Sequence, residues 1–139
     1  MTEGYLDTKV FLHAQANDAH TSTCRALLRA AAAGRIILRL DPLVLHELTY
    51  VLPRYVKTMT RADVALYCRS VLQWPGMHLE EMSFWLAVLE TWETDDRLSW
   101  TDAVLIRRAQ DAALALWSRN HRDFARYDLP DSTWPVEPS

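Results

Sequence analysis

The sequence predicts an α/β fold, a three-layer sandwich with a mainly parallel central sheet flanked by helices. Three observations predict it. Short apolar runs suited to strands alternate with longer stretches of helical periodicity. Helix-start signals at Asp41-Pro42, Thr60 and Ser99 punctuate the alternation. Half of the residues are apolar and 24% are charged, the balance of a globular chain. At 139 residues, one domain spanning 1–139 is expected.

Gly4 to His13 opens as a short buried strand, and Asp7 stands where that strand hands over to a helix. Asn17 to Ala33 has helical periodicity through Cys24, Leu27, Leu28 and Ala31, with Gly34 as the stop. Ile36 to Leu40 reads as a second strand. Asp41 caps the next helix, which turns Val44, Leu45, Leu48, Val51 and Leu52 inward and carries Glu47 in its second turn. Pro53 either kinks this helix or ends it at Leu52.

Thr60 caps a helix over Arg61–Leu72, Trp74-Pro75-Gly76 is a turn, and Met77–Leu79 reads as a short strand. Phe84 to Glu93 is helical. Ser99 and Asp102 have the capping-box form and start a long helix through Ile106 and Gln110. Ala112 to Trp117 reads as ending in a buried strand, Ser118 to Tyr127 as a polar loop with a short helix, and Val136 as a closing edge strand. In parallel sheets the site lies at the carboxyl ends of the strands.

Composition narrows the function. No apolar run reaches the roughly 20 residues of a membrane helix, and Met1–Thr8 is polar and acidic where a signal peptide is basic and then apolar. A cytoplasmic protein with no membrane role is expected. Cys24 and Cys68, without CxxC spacing, read as reduced core residues, and the five histidines show no HxxxH or HxH spacing for zinc. The net charge of -3 gives no basic signal for nucleic acid, although thirteen of the fifteen basic residues are Arg, the better phosphate ligand.

Asp7, Glu47 and Asp102 are far apart in sequence but share a setting, each among apolar residues at a strand end or a helix start. Unpaired carboxylates are costly in such settings, so a cation is expected to meet them. Converging carboxylates suit hard divalent ions such as Mg²⁺ or Mn²⁺, which activate water for attack on phosphorus. Each acid also has a structural reading: Asp102 as the capping partner of Ser99, Asp7 as an acceptor at a helix start, Glu47 as a partner of Arg54 or Arg39.

Five blocks recur in order: Gly4-Tyr-Leu-Asp-Thr-Lys-Val-Phe-Leu-His13, Asn17-Asp-Ala-His20, Pro42-Leu-Val-Leu-His-Glu-Leu-Thr-Tyr-Val-Leu52, Asp96-Arg-Leu-Ser-Trp-Thr-Asp-Ala-Val-Leu105 and Ser118-Arg-Asn-His-Arg-Asp-Phe124. Together they resemble the blocks of a PIN domain, and more closely the VapC-like toxins of type II toxin-antitoxin pairs. The resemblance runs from residue 4 to about 136. It implies a metal-dependent endoribonuclease that uses Mg²⁺ or Mn²⁺, forms a homodimer and is blocked by a partner antitoxin.

The resemblance makes Asp7, Glu47 and Asp102 the metal-binding acids, with Asp7 and Asp102 the foremost ligands. The family's fourth acid falls near Asn120, so Asp123 is the substitute catalytic candidate, and Lys9 stands where the family has Asn or Ser. Thr8, Ser118, Arg119, Asn120 and Arg122 are the expected substrate-binding residues, with Arg126 on the same edge. The alternative function is a degenerate PIN domain that binds RNA or antitoxin without cutting, consistent with Lys9 and Asn120. A structure-specific DNA nuclease with the same acids is a third reading. Trp85, Trp92 and Trp100 are expected in the core or a dimer interface, as is the Tyr50 and Tyr55 face with the helix from Arg61.

Overall fold

A computed structural model describes residues 1–119 and 121–130; Asn120 and the strand expected at Val136 lie outside the described residues. The fold is α/β, with seven helices and a three-stranded parallel sheet among the described residues. In chain order the elements are β1 (Glu3–Tyr5), α1 (Thr8–Gln15), α2 (Thr21–Ala32), β2 (Ile37–Arg39), α3 (Pro42–Tyr55), α4 (Arg61–Leu72), β3 (Met77–His78), α5 (Met82–Thr94), α6 (Trp100–Ala112) and α7 (His121–Phe124). Two compact units, residues 1–86 and the segment from Ala87 onward, are described in turn.

In the first unit the strands lie in the order β1-β2-β3. Glu3 pairs with Ile37, Tyr5 with Arg39, and Leu38 with Met77. Parallel neighbours need a crossover, and here each crossover is a helix pair: α1 and α2 link β1 to β2, while α3 and α4 link β2 to β3. Helix α1 packs on α2 and α3, and α3 packs on α4. Phe11, Leu45, Leu48, Leu52 and Val64 are fully buried among these helices, with Leu38 of the sheet almost so.

The helix starts follow their caps. Asp41 accepts from the Leu43 N–H at 2.8 Å with Pro42 in the first turn, and Thr60 and Asp63 form a reciprocal capping box at the start of α4. Helix α3 does not stop at Leu52: it continues through Pro53 to Tyr55. Helix α2 starts at Thr21 and not at Asn17, because Asp18 turns its carboxylate onto the His20 N–H at 2.7 Å and ends the preceding turn. Strand β1 is not buried: Glu3 and Tyr5, two residues apart and so on one face of the sheet, are both exposed, and burial begins at Leu6.

Gly76 joins α4 to β3 through a close backbone approach. Its N–H donates to the Ala31 carbonyl at 2.9 Å, and its carbonyl accepts from the Leu38 N–H at 2.7 Å. A Cβ there would stand 2.2 Å from the Ile36 carbonyl oxygen, so glycine alone fits.

In the second unit, Leu98, Ile106, Ala109, Leu116 and Phe124 form a buried cluster with Tyr127 and Leu129 against it. Trp92 and Trp100 meet edge to face at 5.9 Å. Trp85, in the first unit, is buried as well. The strand expected over Ala112–Trp117 is absent. Helix α6 runs on through Ala112, since alanine favours helix, and ends where Ala113 turns left-handed at φ 54°. Leu116 alone of that run is buried, while Trp117 is 60% exposed. Among the described residues no helix is long and apolar enough to cross a membrane.

Candidate functional site

In the first unit, Asp7 lies two residues past the end of β1 and Asp41 two past the end of β2, so α1 and α3 both start at the carboxyl edge of the sheet. That edge is where parallel sheets bind ligands. Asp7 occupies the N-cap position of α1, yet its side chain makes no capping hydrogen bond and is exposed. Its carboxylate has no hydrogen-bond or ion-pair partner among the described residues, so its charge meets only the diffuse positive end of the helix.

Thr8, the next residue, is buried, and its hydroxyl donates to Glu47 Oε2 at 3.1 Å. This bond brings the second turn of α3 to the start of α1. Neither arginine expected to neutralise Glu47 does so: Arg39 pairs with Glu3 at 2.6 Å, and the Arg54 guanidinium lies 5.7 Å from the Tyr50 ring centre. The Thr8 hydroxyl therefore ties Glu47 to the start of α1. Lys9 is exposed.

In the second unit, Asp102 closes a capping box with Ser99. The Ser99 N–H donates to Asp102 Oδ2 at 3.1 Å, and the Asp102 N–H donates to Ser99 Oγ at 3.1 Å. Helix capping engages one carboxylate oxygen, Oδ2, on a half-buried residue. Asp123 lies in the first turn of α7, half exposed. Ser118 is half exposed as well, and Arg119 and Arg122 are exposed.

The donors at the start of α1 are two carboxylates and a hydroxyl, all oxygen. That chemistry fits a hard divalent ion that keeps several waters. Among the described residues no three His, Cys, Asp or Glu side chains gather into a metal-holding group.

No family model matches the chain, and no curated protein matches it.

Two polar clusters escaped the sequence reading. At the turn between α1 and α2, His13 Nδ1 and Asp18 Oδ2 lie 2.8 Å apart, and the His13 and His20 rings are 4.9 Å apart. The hydrogen bond from His13 holds the Asp18 carboxyl below its ordinary value. The spacing from 13 to 20 matches no ligand motif, so only the fold brings these rings together.

The second cluster centres on Asp95, which is 7% exposed. Arg126 and Arg97 pair with it, and the Tyr127 hydroxyl donates to Oδ2 at 2.7 Å. Arg126, expected on an RNA-facing edge, is thus bound to a carboxylate of its own unit. Burial pushes the Asp95 carboxyl up, but hydrogen bonds from Tyr127 and Arg97 outweigh burial and hold it below the ordinary value. Burial and Asp95 together push the Tyr127 phenol up.

A carboxyl depressed in the folded state contributes stability above its unfolded pKa, near 3.9, and loses it as pH falls through the folded value. Denaturant unfolding followed by tryptophan fluorescence should therefore show a flat stability from pH 7 to about 5 and a decline below about 4. Asp95→Asn should lower stability at pH 7 by about 2 kcal/mol, the scale of hydrogen bonds to a charged group, and flatten the acid decline. A variant with an unchanged acid limb would place the pH dependence elsewhere.

Proposed function

We propose that this chain is a metal-dependent endoribonuclease of the PIN class, acting as the toxin of a type II toxin-antitoxin pair. The observation that carries the reading is Asp7: an exposed carboxylate at the carboxyl end of a parallel strand, without a side-chain partner among the described residues, beside a Thr8–Glu47 hydrogen bond. An exposed acid with no such partner at a ligand-binding edge suits metal binding. The block resemblance and the oxygen-only donor set support the same reading.

On this reading Asp7 and Glu47 of the first unit hold Mg²⁺ or Mn²⁺, and the block resemblance also counts Asp102 of the second unit among the metal-binding acids. Bound there, the ion would supply an activated water and offset charge on the leaving oxygen. Thr8 orients Glu47, and Asp123 is the candidate fourth acid. Ser118, Arg119 and Arg122 are proposed to face the RNA backbone, where guanidinium–phosphate bonds are charge-assisted. A homodimer, a neutralising antitoxin and a cytoplasmic setting belong to the same proposal. Exposed Leu43, Tyr50, Tyr55 and Leu66 on α3 and α4 offer apolar area for such partners.

The test is incubation of purified protein with total RNA in Mg²⁺, in Mn²⁺ and in chelator. Discrete metal-dependent fragments are expected. Thr8→Val should preserve folding while lowering cleavage by roughly tenfold through a misplaced Glu47. The second reading, a PIN domain that binds without cutting, draws on exposed Lys9 beside Asp7, whose ammonium competes with a cation. Folded protein that binds RNA but yields no fragments in either metal would select it.

A further inference from the structure

The first unit carries a second concave site, at the far end of α1. Thr8 and Gln15 are the two ends of this eight-residue helix, roughly 10 Å apart at 1.5 Å per residue. Around Gln15 opens a cavity of about 300 Å³ walled by Arg25, Arg29, Leu28, Tyr67 and Trp74. Its volume is at the lower end of small-ligand sites.

The lining has an unusual charge balance. Two arginines, Arg25 and Arg29, line this cavity, and no Asp or Glu does. Arg25 spends its Nε–H on the Ala14 carbonyl at 2.8 Å, which fixes the side chain and leaves the terminal nitrogens available. Arg29 has no carboxylate partner among the described residues. Elsewhere in this unit Arg39 finds an acid, Glu3; Arg25 and Arg29 do not.

Two aromatic residues, Tyr67 and Trp74, line the same cavity. Tyr67 is held by an edge-to-face contact with Phe11 at 6.3 Å and by a hydrogen bond with Gln15. Trp74 is half-buried at the end of α4, beside the backbone junction at Gly76. Aromatic side chains beside arginines without an acid partner suit a ligand with a flat apolar part and an anionic part a few ångströms away. A nucleobase stacks on Tyr or Trp, and a phosphate monoester takes bidentate bonds from Arg.

We propose that this cavity between α1, α2 and α4 binds a nucleoside monophosphate, the base against Trp74 and Tyr67 and the phosphate on Arg25 and Arg29. The proposal is independent of the nuclease reading, since no residue of the Asp7 edge takes part. A free mononucleotide and the 5′-phosphorylated end of an RNA strand present the same chemistry.

Isothermal titration of the full chain, in chelator so that no cleavage occurs, tests it with AMP, adenosine, inorganic phosphate, a 5′-phosphorylated tetranucleotide and an oligoglutamate peptide. Sub-millimolar AMP binding is expected, with adenosine and phosphate each at least about tenfold weaker, because each retains one half of the contacts. Arg29→Glu and Arg25→Gln, both on exposed side chains, should weaken AMP by about tenfold or more, while Trp74→Phe should retain most of it. Equal affinity for AMP and the tetranucleotide assigns the free nucleotide, and a clear gain for the tetranucleotide assigns an RNA end; both support the site. Phosphate binding as tightly as AMP, oligoglutamate displacing AMP, or AMP binding unaltered by Arg29→Glu would each overturn it.

Discussion

Asp7→Asn should lower metal-dependent RNA cleavage by at least about 100-fold while leaving the unfolding midpoint within about 0.5 kcal/mol of the parent. The separation of the two effects follows from the structure. Asp7 is exposed, caps nothing and has no partner among the described residues, so an isosteric amide removes a charge that meets only the diffuse positive end of the helix. Asp102 is a poorer test, because its Oδ2 also satisfies the Ser99 N–H. Asp102→Ala should cost about 1 kcal/mol of stability through the broken capping box before any chemistry is counted. Fragment yields on total RNA, read beside denaturant curves for both variants, separate the roles. Full activity in Asp7→Asn would remove the basis of the nuclease proposal.

Gly76→Ala should produce the largest stability loss of any single methyl addition in the first unit, at least about 3 kcal/mol, above the usual range for overpacking. The added Cβ would meet two backbone oxygens, Ile36 at 2.2 Å and Ala31 at 2.7 Å, and backbone cannot swing aside as a side chain can. Relief requires moving the Gly76 hydrogen bonds to Ala31 and Leu38, which dock β3 and α2 against β2. Gly4→Ala is the control: nothing lies within 4 Å of its Cβ position. A Gly76→Ala protein that unfolds at the parental midpoint would show that this junction differs from the one described.

The elements most legible in the sequence were those with local instructions. Thr60 and Asp63 announce α4 to the residue, and Asp41-Pro42 announces α3, because capping involves atoms only three positions apart. The Ala112–Trp117 run failed as a strand because apolar content without alternation does not distinguish an extended run from a helix end. Its alanines prolonged α6 instead. Pro53 was ambiguous for a related reason: whether a helix survives a proline depends on its surroundings, and here α3 continues to Tyr55.

The candidate site divides in the same way. Asp7 and Glu47 could be picked from their positions, but the hydrogen bond that ties Glu47 to Thr8 spans 39 residues and had no local trace. Asp95 was invisible for the same reason, since its partners Arg126 and Tyr127 lie more than 30 residues on. Long-range polar contacts are set by tertiary packing, which no window of sequence encodes.

The outer position of β1 has a practical consequence. Among the described residues no strand pairs with its other edge, the kind of backbone edge that a foreign strand can copy. Three residues of length and the Glu3–Arg39 ion pair keep that invitation small. An amino-terminal fusion rich in valine or isoleucine would lengthen the open edge and turn it into a template for self-association. A short linker bearing lysine or proline would leave the protein monodisperse at the same concentration.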